Sequence, residues 1–170
     1  MRPSLPVLAL TGLTATTATQ AAELSVSVEI PQLNVSEYHR PYLAVWVERP
    51  DRSAAVNLAV WYAFRHPRGN SWLTDMREWW RRTGRDLTMP ADGLSSATRA
   101  PGRHTLTFDP AQQAELGRLP AGHYNLVVEA AREAGGRELL RVPFQWPPTA
   151  QSASAQGSSE LGAVTVDIKP

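Results

Sequence analysis

The chain contains no cysteine. That absence excludes disulfides, thiolate zinc sites, iron–sulfur clusters and thioether-attached haem, so a redox role would require a cofactor held in another way. Lysine is nearly absent too: Lys169 is the only one, and arginine supplies the remaining basic charge. Seventeen basic residues almost cancel sixteen acidic ones, which leaves no field of one sign for nucleic acid or an anionic membrane surface. Long apolar runs are missing as well. The apolar stretch at residues 5–13 is too short to cross a bilayer and nothing downstream approaches the required length, so the protein is not itself expected to span a membrane.

Several chemical signatures are also lacking. There is no Gly-x-Ser-x-Gly elbow, phosphate loop, dinucleotide fingerprint or pair of acids at catalytic spacing. The four histidines, His39, His66, His104 and His123, are scattered, with no pair at helical spacing to hold a metal. His39, in EYHRPY ahead of a strand, is the one histidine placed for proton transfer or axial ligation, beside the ordinary role of a hydrogen-bonded structural histidine.

What is present begins with an export signal. Residues 1–22 carry one positive residue, Arg2, then the short apolar run, then small residues ending at Ala21 and Ala22. This order predicts a cleavable secretory signal peptide and a mature chain outside the cytoplasm.

From there the sequence alternates. LSVSVEI at 24–30, YLAVWVE at 42–48, VNLAVWYAF at 56–64 and RHTLTFD at 103–109 all repeat with period two, the mark of half-buried strands. ERPDRSAA joins the second and third as a hairpin, and Gly135-Gly136 joins 123–133 to 137–146 as another. NSWLTDMREWWRRTG at 70–84 changes period: Trp72, Met76, Trp79 and Trp80 recur at helical spacing, with Asn70 or Ser71 as cap and Gly84 as stop. Residues 148–162 read as a flexible Pro/Ser/Ala/Gln linker, and 163–170 as a strand-like tail that joins the sheet or stays apart.

The expectation is a mainly β protein: an antiparallel immunoglobulin-like β-sandwich over 23–147 with one inserted amphipathic helix at about 70–84, covering one end. PAGHYNLVVEA at 120–130 also resembles the immunoglobulin-like segment of flagellar hook-cap proteins. YHRPYLAVWVE, WLTDMREWW, DGLSSATRAPGRHTLTFD and GHYNLVVEAAREAGGRELLRVPF together look like the bacterial family of small exported proteins called domain of unknown function 2271, over roughly residues 23–147.

Within that span DGLSSAT, residues 92–98, is similar to the acceptor motif of proteins that carry covalent FMN, Asp-Gly-x-Ser/Thr-Gly/Ser-Ala-Thr. Asp92, Gly93, Ser95, Ser96, Ala97 and Thr98 meet every specified position, with Ser96 in place of the commoner glycine. The resemblance implies that a magnesium-dependent FAD:protein FMN transferase cleaves FAD and joins FMN to the Thr98 hydroxyl through a phosphoester. A threonine hydroxyl is a poor nucleophile unaided, so the activating groups must come from the transferase while the acceptor segment lies extended in its cleft.

Arg99 and Arg103 follow closely enough to neutralise a phosphodiester, and Trp61, Trp72, Trp79 and Trp80 are candidates to stack on an isoalloxazine, though tryptophan is more often core. The implied role is a periplasmic electron carrier that relays electrons with a membrane redox partner of the PepSY transmembrane reductase class, in iron-linked redox. A flavin-dependent reductase acting on a small acceptor is the enzymatic variant. The alternative is a non-redox exported binding module that docks REWWRR, residues 77–82, on a membrane protein, because interfaces are enriched in Trp and Arg.

Overall fold

The computed structural model describes residues 22–170, and the export signal read at 1–22 lies outside the described residues apart from Ala22. In chain order the strands are β1 (Glu23–Ile30), β2 (Tyr42–Glu48), β3 (Ala54–Trp61), β4 (Ser95–Ser96), β5 (Gly102–Phe108), β6 (Gly122–Ala131), β7 (Arg137–Trp146), β8 (Gln151–Gln156) and β9 (Ala163–Lys169). They form two sheets, ordered β5-β1-β9-β8 and β4-β3-β2-β6-β7. Every pairing is antiparallel except the short one between β3 and β4. The two expected hairpins are present as β2–β3 and β6–β7.

Alternation explains how the sheets meet. β1 buries Leu24, Val26, Val28 and Ile30 and turns its serines away, and β9 buries Val164, Val166 and Ile168. These side chains pack against Leu43, Val45, Leu126, Val128, Val142 and Phe144 of the second sheet in one cluster. Each full burial contributes about 1.5–3 kcal/mol, so a core of this size holds without a covalent staple. At the start of β6, Tyr124 Oη donates a 2.7 Å hydrogen bond to the carbonyl of Pro120, which fixes the turn that enters the strand.

The five-stranded sheet is apolar on its outer face too. Ala44, Trp46, Val60, Tyr62 and Val127 are covered there by Leu73, Met76 and Trp79. The inserted segment therefore lies across a sheet face rather than over one end of the sandwich. Nor is it one helix. It runs as a 3-10 helix (Gly69–Asp75), a short α-helix α1 (Arg77–Arg82) and a 3-10 turn (Gly84–Asp86), with no side-chain cap from Asn70 or Ser71. The break falls at Met76, whose φ of −79° and ψ of 72° are not helical. Its cause comes from outside the segment: the fully buried Glu129 carboxylate of β6 accepts hydrogen bonds from the backbone N–H of Glu78 at 3.1 Å and of Trp79 at 2.7 Å. A continuous helix would have committed those two N–H groups to carbonyls of the preceding turn.

The C-terminal region departs furthest from the sequence reading. Residues 151–156 are strand β8 rather than flexible linker, and the tail joins the sheet as β9, between β1 and β8. The intervening turn is held by Glu138 of β7, whose carboxylate accepts hydrogen bonds from the backbone N–H groups of Ser158, Ser159, Glu160 and Leu161. Burial opposes ionisation of Glu138, but these bonds outweigh it and lower its carboxyl from 4.5 to about 2. A carboxyl depressed in the fold adds stability that is present above its unfolded value and disappears as pH falls through the folded one. The melting-temperature gap between wild type and Glu138→Gln is therefore expected to be full at pH 6 and to close as pH falls from 4.5 towards about 2. Thermal melts of the two proteins across that range check it.

Candidate functional site

The 92–98 stretch is held against the sheet. A turn with Gly93 at φ 73° brings the chain round, in the left-handed region that glycine enters without strain. Hydrogen bonds from Ser95 N–H to Ala91 O at 3.0 Å and from Ala91 N–H to Ser95 Oγ at 2.9 Å lock the turn. Then β4 runs parallel to β3: Val60 N–H donates to Leu94 O at 2.8 Å and Tyr62 N–H to Ser96 O at 2.9 Å. Thr98 follows directly, half-buried, between an exposed Ala97 and an exposed Arg99. Part of the motif is thus an ordered edge strand, with its threonine displayed just past the end.

Thr98 lines two clefts. The first, of about 320 Å³, is walled by Tyr38, Tyr42 and Trp72 with His39, Arg40, Asp75 and Glu133. The second, of about 440 Å³, is lined by Tyr62, Phe64, Arg65, His66, Ser95, Ser96, Ala97 and Arg99. Both volumes fall in the range of about 300–1,000 Å³ usual for small-molecule sites. An aromatic group continues between the clefts: Tyr42 meets Tyr62 and Trp72 edge-on at 6.0 and 6.4 Å, Tyr62 meets Phe64 at 6.1 Å, and His66 stacks on Trp72 at 5.1 Å.

The polar chemistry differs between them. In the first cleft His39 lies between two carboxylates, Nε2 at 3.1 Å from Glu37 and Nδ1 at 3.6 Å from Glu133. Burial raises the Tyr38 phenol above its ordinary value, against the opposing effect of nearby Arg132. The second cleft has Arg65, His66 and Arg99 and no carboxylate in its lining. Arg65 sits over the Phe64 ring and Arg99 over the Trp61 ring, each at 5.4 Å, so both guanidinium groups are steadied by aromatic faces. One buried hydroxyl in each cleft, Tyr38 Oη and Tyr62 Oη, has no hydrogen-bond partner among the described residues. Such a group is costly to leave unpaired and suits a ligand that brings an acceptor.

The other residues singled out from sequence divide. Ser95, Ser96, Ala97 and Arg99 gather around Thr98. Asp92 and Gly93 lie at a separate depression with Asn57 and Glu115. Arg103 points elsewhere: alternation along β5 places it opposite Glu29 of β1, 3.5 Å away, on the outer face of the other sheet. Trp79 is fully buried, with Nε1 donating to Asn57 Oδ1 at 3.0 Å, and is core rather than a stacking wall; Trp80 packs beside the same cluster and lines neither Thr98 cleft. Trp61 is buried beneath Arg99, which leaves Trp72 as the tryptophan that borders Thr98. In REWWRR the Arg81 and Arg82 side chains are tied to Glu78.

Tyr42, Phe64, Arg65, His66 and Asp75 were not anticipated. Period two hides the first two as ordinary strand residues, and no local signal distinguishes the others. Among the described residues there is no cluster that could hold a metal ion, and no helix long and apolar enough to cross a membrane. No curated protein and no solved structure matches the chain. The profile of one family, described as predicted periplasmic protein, matches residues 23–163, from the first residue of β1 to the first of β9; the chain belongs to that family, DUF2271, and is a periplasmic protein.

Proposed function

We propose that this protein is a periplasmic electron carrier with FMN joined to Thr98 by a phosphoester, installed by an FAD:protein FMN transferase that uses FAD. The observation that carries the reading is the position of Thr98: it completes the acceptor motif, lies two residues past an edge strand, and stands where a basic and an aromatic cleft meet. Bound FMN would supply hydride and single-electron chemistry that no side chain of this cysteine-free protein offers.

The protein's own residues supply placement. Arg99, steadied on Trp61, and Arg65, steadied on Phe64, place fixed positive charge in the cleft beside Thr98. A covalent tether suits the periplasm, where a dissociated cofactor could not be replaced from the cytoplasm, and it substitutes effective concentration for a deep pocket. The electron donor in this reading is a PepSY-type membrane reductase, and the setting is iron-linked redox.

The sandwich itself is read as immunoglobulin-like. The order β3-β2-β6-β7 beside β5-β1 follows the C′-C-F-G and E-B arrangement of that architecture, and the Tyr124–Pro120 bond is of the tyrosine-corner kind.

Co-expression with an FMN transferase, followed by intact-mass measurement and peptide mapping, tests the proposal. Wild type is expected to gain one FMN phosphoester on the 92–103 region, and Thr98→Ala to stay at the unmodified mass with its melting temperature nearly unchanged, since a half-buried surface hydroxyl contributes little to stability. An unmodified wild type, or an adduct on another residue, overturns it.

A further inference from the structure

Thr98 borders two clefts, but one tethered ring can fill only one of them. The second cleft is the more basic: Arg65, His66 and Arg99 line it without a carboxylate, whereas Asp75 and Glu133 line the first. Its lining also includes Tyr62, fully buried, whose Oη has no partner among the described residues. A planar anionic ligand with acceptor atoms would meet all three needs of this cleft: an aromatic wall at Phe64, charge at the two arginines, and an acceptor for the Tyr62 hydroxyl.

We infer that the cleft of Tyr62, Phe64, Arg65, His66 and Arg99 binds the isoalloxazine ring, and that its arginines raise the ring's reduction potential; this rests on the assignment of FMN to Thr98. Uptake of two electrons and one proton adds one negative charge to a bound isoalloxazine. Arg65 and Arg99 favour that charge by Coulomb attraction, so they shift the equilibrium towards the reduced side. The carboxylates of the other cleft would shift it the opposite way. Both guanidinium groups belong to exposed residues, so solvent ions weaken their effect with rising salt.

The flavinylated protein is titrated with dithionite against a reference dye at two salt concentrations, for wild type, Arg65→Gln/Arg99→Gln, Arg99→Lys and Asp75→Asn. The double variant is expected to hold about tenfold less reduced flavin at a fixed potential, which corresponds to a midpoint about 30 mV lower for a two-electron couple. Arg99→Lys should stay near wild type, Asp75→Asn should not move, and the double variant's shift should shrink in high salt. As a second measurement, Tyr62→Phe is expected to raise the melting temperature of the unloaded chain by removing an unpaired buried hydroxyl, and to reduce the gain in melting temperature on loading. Intact mass of each sample separates the two claims. Absence of an adduct on wild type overturns the assignment of FMN to Thr98. An adduct on Thr98 whose potential ignores the arginines, or follows Asp75 instead, overturns only the choice of cleft.

Discussion

Replacement of Trp79 by alanine is expected to cost about 3–5 kcal/mol of stability, the range for truncating a fully buried large aromatic. No part of Trp79 is exposed, and it packs among Ala44, Trp46, Val60, Leu73 and Met76 on the outer face of the five-stranded sheet. Two features prevent the gap from closing. Gly84 lies so close that a Cβ there would sit 2.6 Å from the indole ring, and the backbone N–H of Trp79 is fixed to Glu129 at 2.7 Å. The indole also satisfies Asn57 Oδ1, which truncation would leave without that donor. For a domain of this size the loss corresponds to a melting temperature about 6–20 °C lower. Because Trp79 lines neither Thr98 cleft, flavinylation at low temperature is expected to persist; a fall below 1 kcal/mol would mean that the segment over this sheet face contributes little.

The second large effect concerns the Arg132–Glu160 pair. Their side chains are 6% and 5% exposed, joined by Nε to Oε2 at 2.8 Å and Nη2 to Oε1 at 3.1 Å. Arg132→Leu leaves the Glu160 carboxylate buried with the Gly136 N–H at 2.8 Å as its remaining partner, an arrangement that costs about 3–5 kcal/mol. Removal of both charges is a different matter. An apolar pair of similar volume has no stranded ion, so Arg132→Leu/Glu160→Leu is expected to recover most of the loss. Denaturant melts of the two single variants and the double variant check this, and additive losses would contradict it.

The sequence made the strands legible wherever large apolar residues alternated, as in LSVSVEI and YLAVWVE, because period two by itself assigns one face to the core. β8 was hidden for a physical reason: its inward residues include Ala153 and Ala155, the smallest apolar side chains, so QSASAQ carries almost no hydrophobic contrast. The segment over the sheet misled in the opposite sense. Trp72, Met76 and Trp79 do recur at helical spacing, yet the backbone breaks at Met76 because a carboxylate from β6, some fifty positions away, takes two of its N–H groups. Arg103 and Thr98 show the same division in the candidate site. Neighbours in sequence look like neighbours in a site, but strand alternation turned Arg103 to the far face while folding brought Tyr42, Trp72 and His39 to Thr98 from distant parts of the chain.

The pairing of β1 with β9 has a consequence for the order in which the molecule can be assembled. Residues 23–28 are paired with residues 164–169, so the four-stranded sheet cannot close until residues 164–169 have emerged on the far side of the inner membrane. The five-stranded sheet is different: β2, β3, β4, β6 and β7 all precede residue 147, and contacts close in sequence form faster than distant ones. A chain still threaded through its translocation channel can therefore build the platform that carries Thr98 before the opposite layer exists. β9 is then a latch, and β1 waits without its inner partner until residues 163–169 are released.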